Sequence, residues 1–306
     1  MIISLILHLA VLLGFSPLLL GIIGRTKAAF AGRSGPPLLQ PYYDLWKLSQ
    51  KGAVYSTTTN WIFRAAPMIG LASILIASLL VPLGAFQAPV QFWGDAILFV
   101  YLFALARFFM ILAALDTGSS FEGMGASREA TFGCLAEITL ILDLTILALL
   151  SRSLSLSDMI GGSLWTSWFV VGPVLLLVVV SFFLVLLAEN SRIPVDDPET
   201  HLELTMIHEV MVLDHGGIDL AYILYEQALK LFLFGSILVS LVFTIRTRDI
   251  VSDTTLFAAG MILFAVLIGV IESTMARLRL SRIPYFLVSA FIFSIFGLIV
   301  LLVKGH

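Results

Sequence analysis

The stretch FVVGPVLLLVVVSFFLVLLA, residues 169–188, carries no charge over twenty consecutive positions. At about 1.5 Å per helical residue, such a run crosses roughly 30 Å, the hydrocarbon thickness of a bilayer. Its apolar residues are continuous rather than alternating, which selects a helix over a barrel strand. Seven more runs of this kind lie outward from it, near 2–23, 65–86, 94–115, 130–150, 221–244, 255–275 and 284–303. The expected fold is an all-α membrane protein with about eight transmembrane helices, residues 1–306 forming a single integral membrane domain. The composition agrees: 59% of residues are hydrophobic, 12% are charged and the mean hydropathy is +1.05. A soluble domain carries about 25% charged residues, so a soluble enzyme is excluded. The single cysteine, Cys134, rules out an intramolecular disulfide or a multi-cysteine iron–sulfur site built from this chain alone. A net charge of −3 does not fit a nucleic-acid binder.

The first run has no basic residue before it and no small-residue cleavage site, so it is expected to be a retained helix rather than a signal peptide. Lys and Arg are distributed unevenly. Ten (Arg25, Lys27, Arg33, Lys47, Lys51, Arg128, Arg192, Arg277, Arg279 and Arg282) fall in the loops after runs 1, 3, 5 and 7. Four (Arg152, Arg246, Arg248 and Lys304) fall on the other side. The positive-inside rule then places the ten-charge side in the cytoplasm and both termini outside, in an inner (cytoplasmic) membrane.

The polar residues concentrate in a few places. Residues 36–51 read PPLLQPYYDLWKLSQK, with Leu38, Tyr42, Leu45 and Leu48 near helical spacing and Gln40, Asp44, Lys47 and Gln50 largely elsewhere. That pattern predicts an interfacial amphipathic helix between helices 1 and 2. It is either a plain anchor or one wall of a cavity, with Arg33, Gln40, Asp44 and Lys47 as its polar residues. Residues 115–130 read as a loop containing Asp116, Glu122, Arg128 and Glu129, and run 4 continues with Glu137 and Asp143. Glu129 and Glu137 are eight residues apart, about 80° out of line on an ideal helix. An ionised acid at mid-membrane costs ~2.5–3.5 kcal/mol or more, so these acids are protonated, paired with Arg107 or Lys230, or open to a wet cavity. From Glu189 to Asp219 the chain carries eight acids with only Arg192 as a basic residue. His201, Glu203, His208 and Glu209 in this loop match no compact metal motif. In run 6, Glu226 and Lys230 are spaced for an intrahelical ion pair, and Glu272 at the end of run 7 is placed to pair with Arg277 or Arg279. Acids in several spans point to proton movement or conformational coupling.

These residues resemble a known family. It is the eight-helix membrane subunit shared by respiratory complex I, where it is the H-type subunit, and the group 4 membrane-bound nickel–iron hydrogenases. The resemblance covers nearly the whole chain. It is carried by Arg33-Ser34-Gly35-Pro36, Leu39-Gln40-Pro41 and Asp44-Leu45-Trp46-Lys47-Leu48. Ala106-Arg107-Phe108-Phe109, Leu115-Asp116-Thr117-Gly118-Ser119, Gly125-Ala126-Ser127-Arg128-Glu129-Ala130 and Ser273-Thr274-Met275-Ala276-Arg277-Leu278-Arg279-Leu280 look like the formate hydrogenlyase version in particular. In the acidic loop Pro194-Val195-Asp196, Glu199 and Glu203-Leu204 match, whereas Asp197 and Pro198 depart and His201 stands in place of an acid.

The resemblance implies a membrane-anchoring and energy-coupling subunit of a multi-subunit redox complex, not itself the catalytic subunit. Its partners would be the hydrogenase large and small subunits, an iron–sulfur protein and antiporter-like membrane subunits. The nickel–iron site and iron–sulfur clusters would lie in those partners. The leading coupling residues are Asp116, Glu129, Glu137, Asp196, Glu199 and Glu203, with Asp143, Glu226, Lys230 and Glu272 in the wider series and Arg107 and Arg128 poising neighbouring acids. Three alternatives stay open: the quinone-site membrane subunit of a complex I-type NADH:quinone oxidoreductase, a stand-alone ion transporter, and a passive anchor.

Overall fold

Each apolar run becomes a helix in the computed structural model, which describes residues 2–84, 86–161, 163–197, 206–243 and 250–304. The long helices are α1 (Ile2–Phe30), α3 (Trp61–Ser78), α4 (Asp95–Asp116), α5 (Ser120–Ser151), α7 (Ser163–Glu189), α8 (Gly217–Val242), α9 (Ile250–Thr274) and α10 (Ile283–Lys304). All eight are long and apolar enough to cross a membrane. Two short helices, α2 (Gln40–Ser49) and α6 (Leu156–Met159), and two 3₁₀ turns (Glu209–Val212 and Leu280–Arg282) lie between them.

Two boundaries differ most from the sequence reading. Residues 120–130 are helical, so α5 starts a full ten residues before the apolar run does. Gly118, at φ +70°, turns the chain out of α4, and extended Ser119 starts the new helix. Conversely, α3 stops at Ser78, although apolar residues continue to Phe86. Leu80, Val81 and Leu83 are still buried there, in a turn closed by paired hydrogen bonds between Leu83 and Phe86. Apolar character marks burial, not helix, at that end.

Between lipid-solvated helices there is no hydrophobic drive to associate, so close packing holds the bundle together. α8 is the most enclosed spanning helix and α10 the least. At the centre, Phe234 of α8 meets Phe103 of α4 edge-on at 5.2 Å and Phe182 of α7 at 5.6 Å, ring centre to ring centre. Phe99 packs against Phe103 at a tilt of 52°, with ring centres 4.7 Å apart. One turn before Phe234, Lys230 passes over the Phe103 ring at 5.8 Å. The aromatic core thus ends where the polar residues begin.

The loops after α1, α4, α7 and α9 are tied together on one face. Asp116 accepts hydrogen bonds from the backbone and side-chain nitrogens of Asn60, both at 2.6 Å. Glu122 accepts from the Asp214 amide at 3.0 Å, and Pro194 accepts from the Leu278 amide at 2.9 Å. Gly217, at φ +57°, lies so close to Gly52 that a Cβ would overlap its backbone. On the opposite face, buried Asp95 accepts from Ser155 Oγ at 2.8 Å and from the Leu156 amide at 2.6 Å. The amphipathic helix exists as expected: Leu45 and Leu48 are half-buried, while Tyr43 and Trp46 are exposed. Tyr42 donates its hydroxyl to the Gly14 carbonyl, so α2 lies along α1, about 24 Å short of that helix's end.

Candidate functional site

Arg107 of α4 is the centre of the polar interior. Its guanidinium reaches three carboxylates at once: Glu137 at 3.1 Å through Nη1, Glu129 at 3.5 Å through Nε, and Glu189 through Nη2. Glu189 at the end of α7 also binds Lys230 of α8 at 2.8 Å. One network therefore links α4, α5, α7 and α8. Gly133 explains how a single arginine serves both α5 acids. It lies midway between Glu129 and Glu137, and a Cβ there would stand 2.8 Å from Arg107 Nε. The arginine lies across that gap and its fork spreads to either side, which offsets the imperfect alignment of the two acids.

A small cavity of about 40 Å³ opens beside this network. At ~10–15 Å³ per water, it has room for two to four molecules. Arg107, Glu129, Glu189, Glu226, Lys230 and His208 all line it. Glu226 packs against α3 at Gly70, where a Cβ would overlap its carboxyl. The ion pair of Lys230 is thus with Glu189, and the expected intrahelical pair with Glu226 is not formed. The reason is distance across the bundle: Glu189 sits at the same level and binds both cations.

Other expectations also change. Glu272 pairs with Lys27 at 3.3 Å and Arg192 at 3.4 Å rather than with Arg277 or Arg279. The chain breaks from helix after Thr274, which carries those two arginines away. Arg277 turns instead to Asp196 at 2.8 Å. Arg128 donates to the Met206 carbonyl at 2.8 Å and contacts Met124 sulfur. Asp143 is buried and takes a hydrogen bond from Ser181 at 2.9 Å, away from the Arg107 network. Of the four polar residues placed near α2, Arg33 borders a cavity of about 700 Å³ between Gly24, Lys27, Pro36 and Ser273. Gln40 is bonded to Asp44 along α2 at 2.8 Å, and Asp44 and Lys47 are exposed. Glu199, Glu203 and His201 lie outside the described residues.

The loop after α7 is built rather than merely solvated. Asp196 is its anchor. One oxygen accepts from the Ile207 and His208 amides at 3.0 and 3.1 Å; the other accepts from the Asp197 amide and binds Arg277. This anchoring presents His208 to the cavity, with its Nε2 buried and without a hydrogen-bond partner among the described residues. Burial and the nearby Lys230 charge lower the His208 pKa to about 4. Glu209 beside it is pushed up to about 7, chiefly by burial and then by Asp196. Sequence reasoning counted His208 only as an unconvincing metal ligand. Nothing local marks it as a cavity wall.

His215 gives a pH prediction. Its ring stacks flat on Phe63, with centres 3.9 Å apart and planes 3° from parallel, and burial lowers its pKa to about 4 from 6.5. Because the folded state favours the neutral ring, its contribution is complete above pH 6.5 and is lost as pH falls toward 4. The loss reaches about 2 kcal/mol by pH 5. His208 acts with the same sign; Glu209, with its raised value, acts with the opposite one. His215→Phe keeps the stack and removes one titrating group. The expected result is slower protease clipping of segment 206–216 at pH 5 than in the unaltered chain, with equal rates at pH 7.5. Equal rates at both pH values would refute the assignment.

Comparison with known proteins places this geometry in context. Residues 2–303 match the family model described as NADH dehydrogenase. The chain is 34% identical over 282 residues to hydrogenase-4 component C of Escherichia coli, covering 90% of this chain and 88% of the relative. It is 30% identical over 305 residues to formate hydrogenlyase subunit 4 of the same organism, covering 95% and 96%. The H-type subunit of the NADH-quinone oxidoreductase of Rubrobacter xylanophilus is 32% identical over 177 residues, 56% of this chain and 53% of the relative. Among solved structures, a chain of the membrane-bound sulfane sulfur reductase, an archaeal respiratory membrane complex, superposes with a TM-score of 0.79 at 19% identity, over 97% of each chain. That last likeness shows a shared fold.

Proposed function

The chain belongs to the NADH dehydrogenase family of multi-pass membrane proteins, and from that premise we propose that it anchors and couples a group 4 nickel–iron hydrogenase-type complex. The two relatives matched along nearly their whole length are components of hydrogenase-4 and formate hydrogenlyase, which favours the hydrogenase setting over a complex I. The partners are then hydrogenase large and small subunits and an iron–sulfur protein on one side, and antiporter-like subunits within the membrane. In this reading the nickel–iron site and clusters are carried by those partners, in keeping with the hydrogenase components that the chain is similar to.

The face formed by the loops after α1, α4, α7 and α9 is the docking face for the peripheral arm. It carries most of the basic residues, which supports a cytoplasmic position for it, with both termini outside an inner membrane. The observation that carries the coupling role is the cavity beneath that face. It is lined by three carboxyl groups, Glu129, Glu189 and Glu226, and two cations, Arg107 and Lys230, and Glu137 joins the same network through Arg107. Full ionisation of all six groups would leave two uncompensated negative charges in a low-dielectric interior, so proton binding balances the cluster. His208 lines the cavity from the loop segment, so a movement of the docked arm that shifts Asp196 would also shift His208 against the acids.

The test is the paired substitution of Glu129→Gln and Glu137→Gln in the native complex, with proton translocation measured per electron transferred. The expected result is loss of most translocation with redox turnover retained. Unchanged translocation in both variants would refute the relay.

A further inference from the structure

We propose that the groove between α4 and α5 seats a transmembrane helix of a partner subunit, which sets a hydrogen-bond donor against Glu137. The proposal rests on the multi-subunit reading above and identifies where that contact lies. The groove has a volume of about 530 Å³ and is walled by Ile97, Tyr101, Ile141, Thr145 and Leu149, with Glu137 at its inner end. Glu137 joins two compartments. One carboxylate oxygen binds Arg107 in the polar interior, while its side chain keeps 29% of its surface exposed toward the groove. Its second oxygen has no hydrogen-bond partner among the described residues.

Position decides the occupant. Glu137 is seven residues inside the apolar run 130–150 of α5, about 10 Å along the helix, and thirteen from the end of that run. It therefore sits within the hydrocarbon span. A lipid acyl chain would fill the apolar walls but offers no donor, leaving a carboxylate oxygen against hydrocarbon. A protein helix supplies both things needed. Its apolar side chains pack against Tyr101, Ile141 and Leu149, and one lysine, histidine or protonated acid bonds the free oxygen. Intramembrane acids pair in this way with charged or protonatable groups facing the bundle interior. The partner group would then stand one residue from Arg107, in contact with the interior network through Glu137 itself.

The intact complex should be purified from native membranes with p-benzoylphenylalanine at Tyr101 or at Leu149, and at Leu263 on the exposed side of α9 as a reference. Irradiation is expected to join positions 101 and 149 to one and the same membrane subunit, and not position 263. Lipid adducts alone at 101 and 149 would overturn the proposal. A second variant guards against a probe that blocks docking. Thr145→Trp adds bulk on the exposed groove wall without entering the core. It is expected to lower recovery of that partner at least tenfold while the chain remains inserted. Full recovery would count against the surface. A partner crosslinked at 101 and 149 in a complex that carries no redox centre would leave the surface standing and would instead sink the hydrogenase reading.

Discussion

Arg107→Met is expected to prevent recovery of a stable complex. Arg107 is the shared cation of Glu129, Glu137 and Glu189, three carboxylates inside the bundle. Removing one member of a buried ion pair costs about 3–5 kcal/mol, because the remaining charge stays desolvated without a counterion. Here a single change leaves Glu129 and Glu137 without a cation, while Glu189 keeps Lys230. That loss approaches the ~5–15 kcal/mol that stabilises a typical fold. Arg107→Lys should be intermediate. Lysine keeps the charge but is a point donor and cannot fork to acids on either side of Gly133. Gly133→Leu attacks the same contact from α5, since even a Cβ there lies 2.8 Å from Arg107 Nε. It should reproduce much of the Arg107→Met defect with every charge still present. Membrane-extracted yield and melting temperature in detergent are the readouts. An Arg107→Met complex that melts with the unaltered one would show that the network contributes nothing to the fold.

The sequence displayed this network in fragments. The eight spans were legible because twenty uncharged residues have one stable fate in lipid. The acids of α5 were legible as costly residues, and Arg107 was legible as one possible partner. What could not be read was the geometry that brings them together. Glu189 ends an apolar run and counts naturally as the first residue of an acidic loop, yet its partner Arg107 is 82 residues away. Lys27 and Glu272 come from opposite ends of the chain. Local spacing rules favoured Glu226 with Lys230 and Glu272 with Arg277, and in both places a carboxylate or cation from another helix stood closer. One signal was present and unused: Glu129, Gly133 and Glu137 repeat every four residues, and a glycine between two acids on one helix face is a bed for a long side chain from a neighbour. The early start of α5 was hidden for a different reason. Residues 120–130 contain Glu122, Arg128 and two glycines, so a search for continuous apolarity passes over them. They are helical because they pack against protein, with Gly125 so close to segment 207–211 that a Cβ would stand 2.9 Å from Met211 Cγ.

Asp196→Ala is expected to have the second large effect, and to act on the proposed docking face rather than on the bundle. Asp196 is buried, and its two oxygens accept from the amides of Asp197, Ile207 and His208 while binding Arg277. Hydrogen bonds to a charged group contribute about 1.5–3 kcal/mol each, so the lost set is worth several kcal/mol. The spans themselves do not depend on it, because their backbone bonds are internal to each helix. The altered chain should therefore still insert, while the segment around 206–212 loosens, His208 leaves the cavity and the contact between the α7 and α9 loops weakens. The measurable consequence is rapid clipping after residue 196 in inside-out vesicles, together with loss of the peripheral arm from membranes that retain this chain. Asp196→Asn separates shape from charge. It keeps one acceptor for the amides but gives up the ion pair with Arg277, so it should hold the segment partly and release the arm only as ionic strength rises. If Asp196→Ala kept both the arm and the protection of the loop, the docking face would have to be sought elsewhere on the molecule.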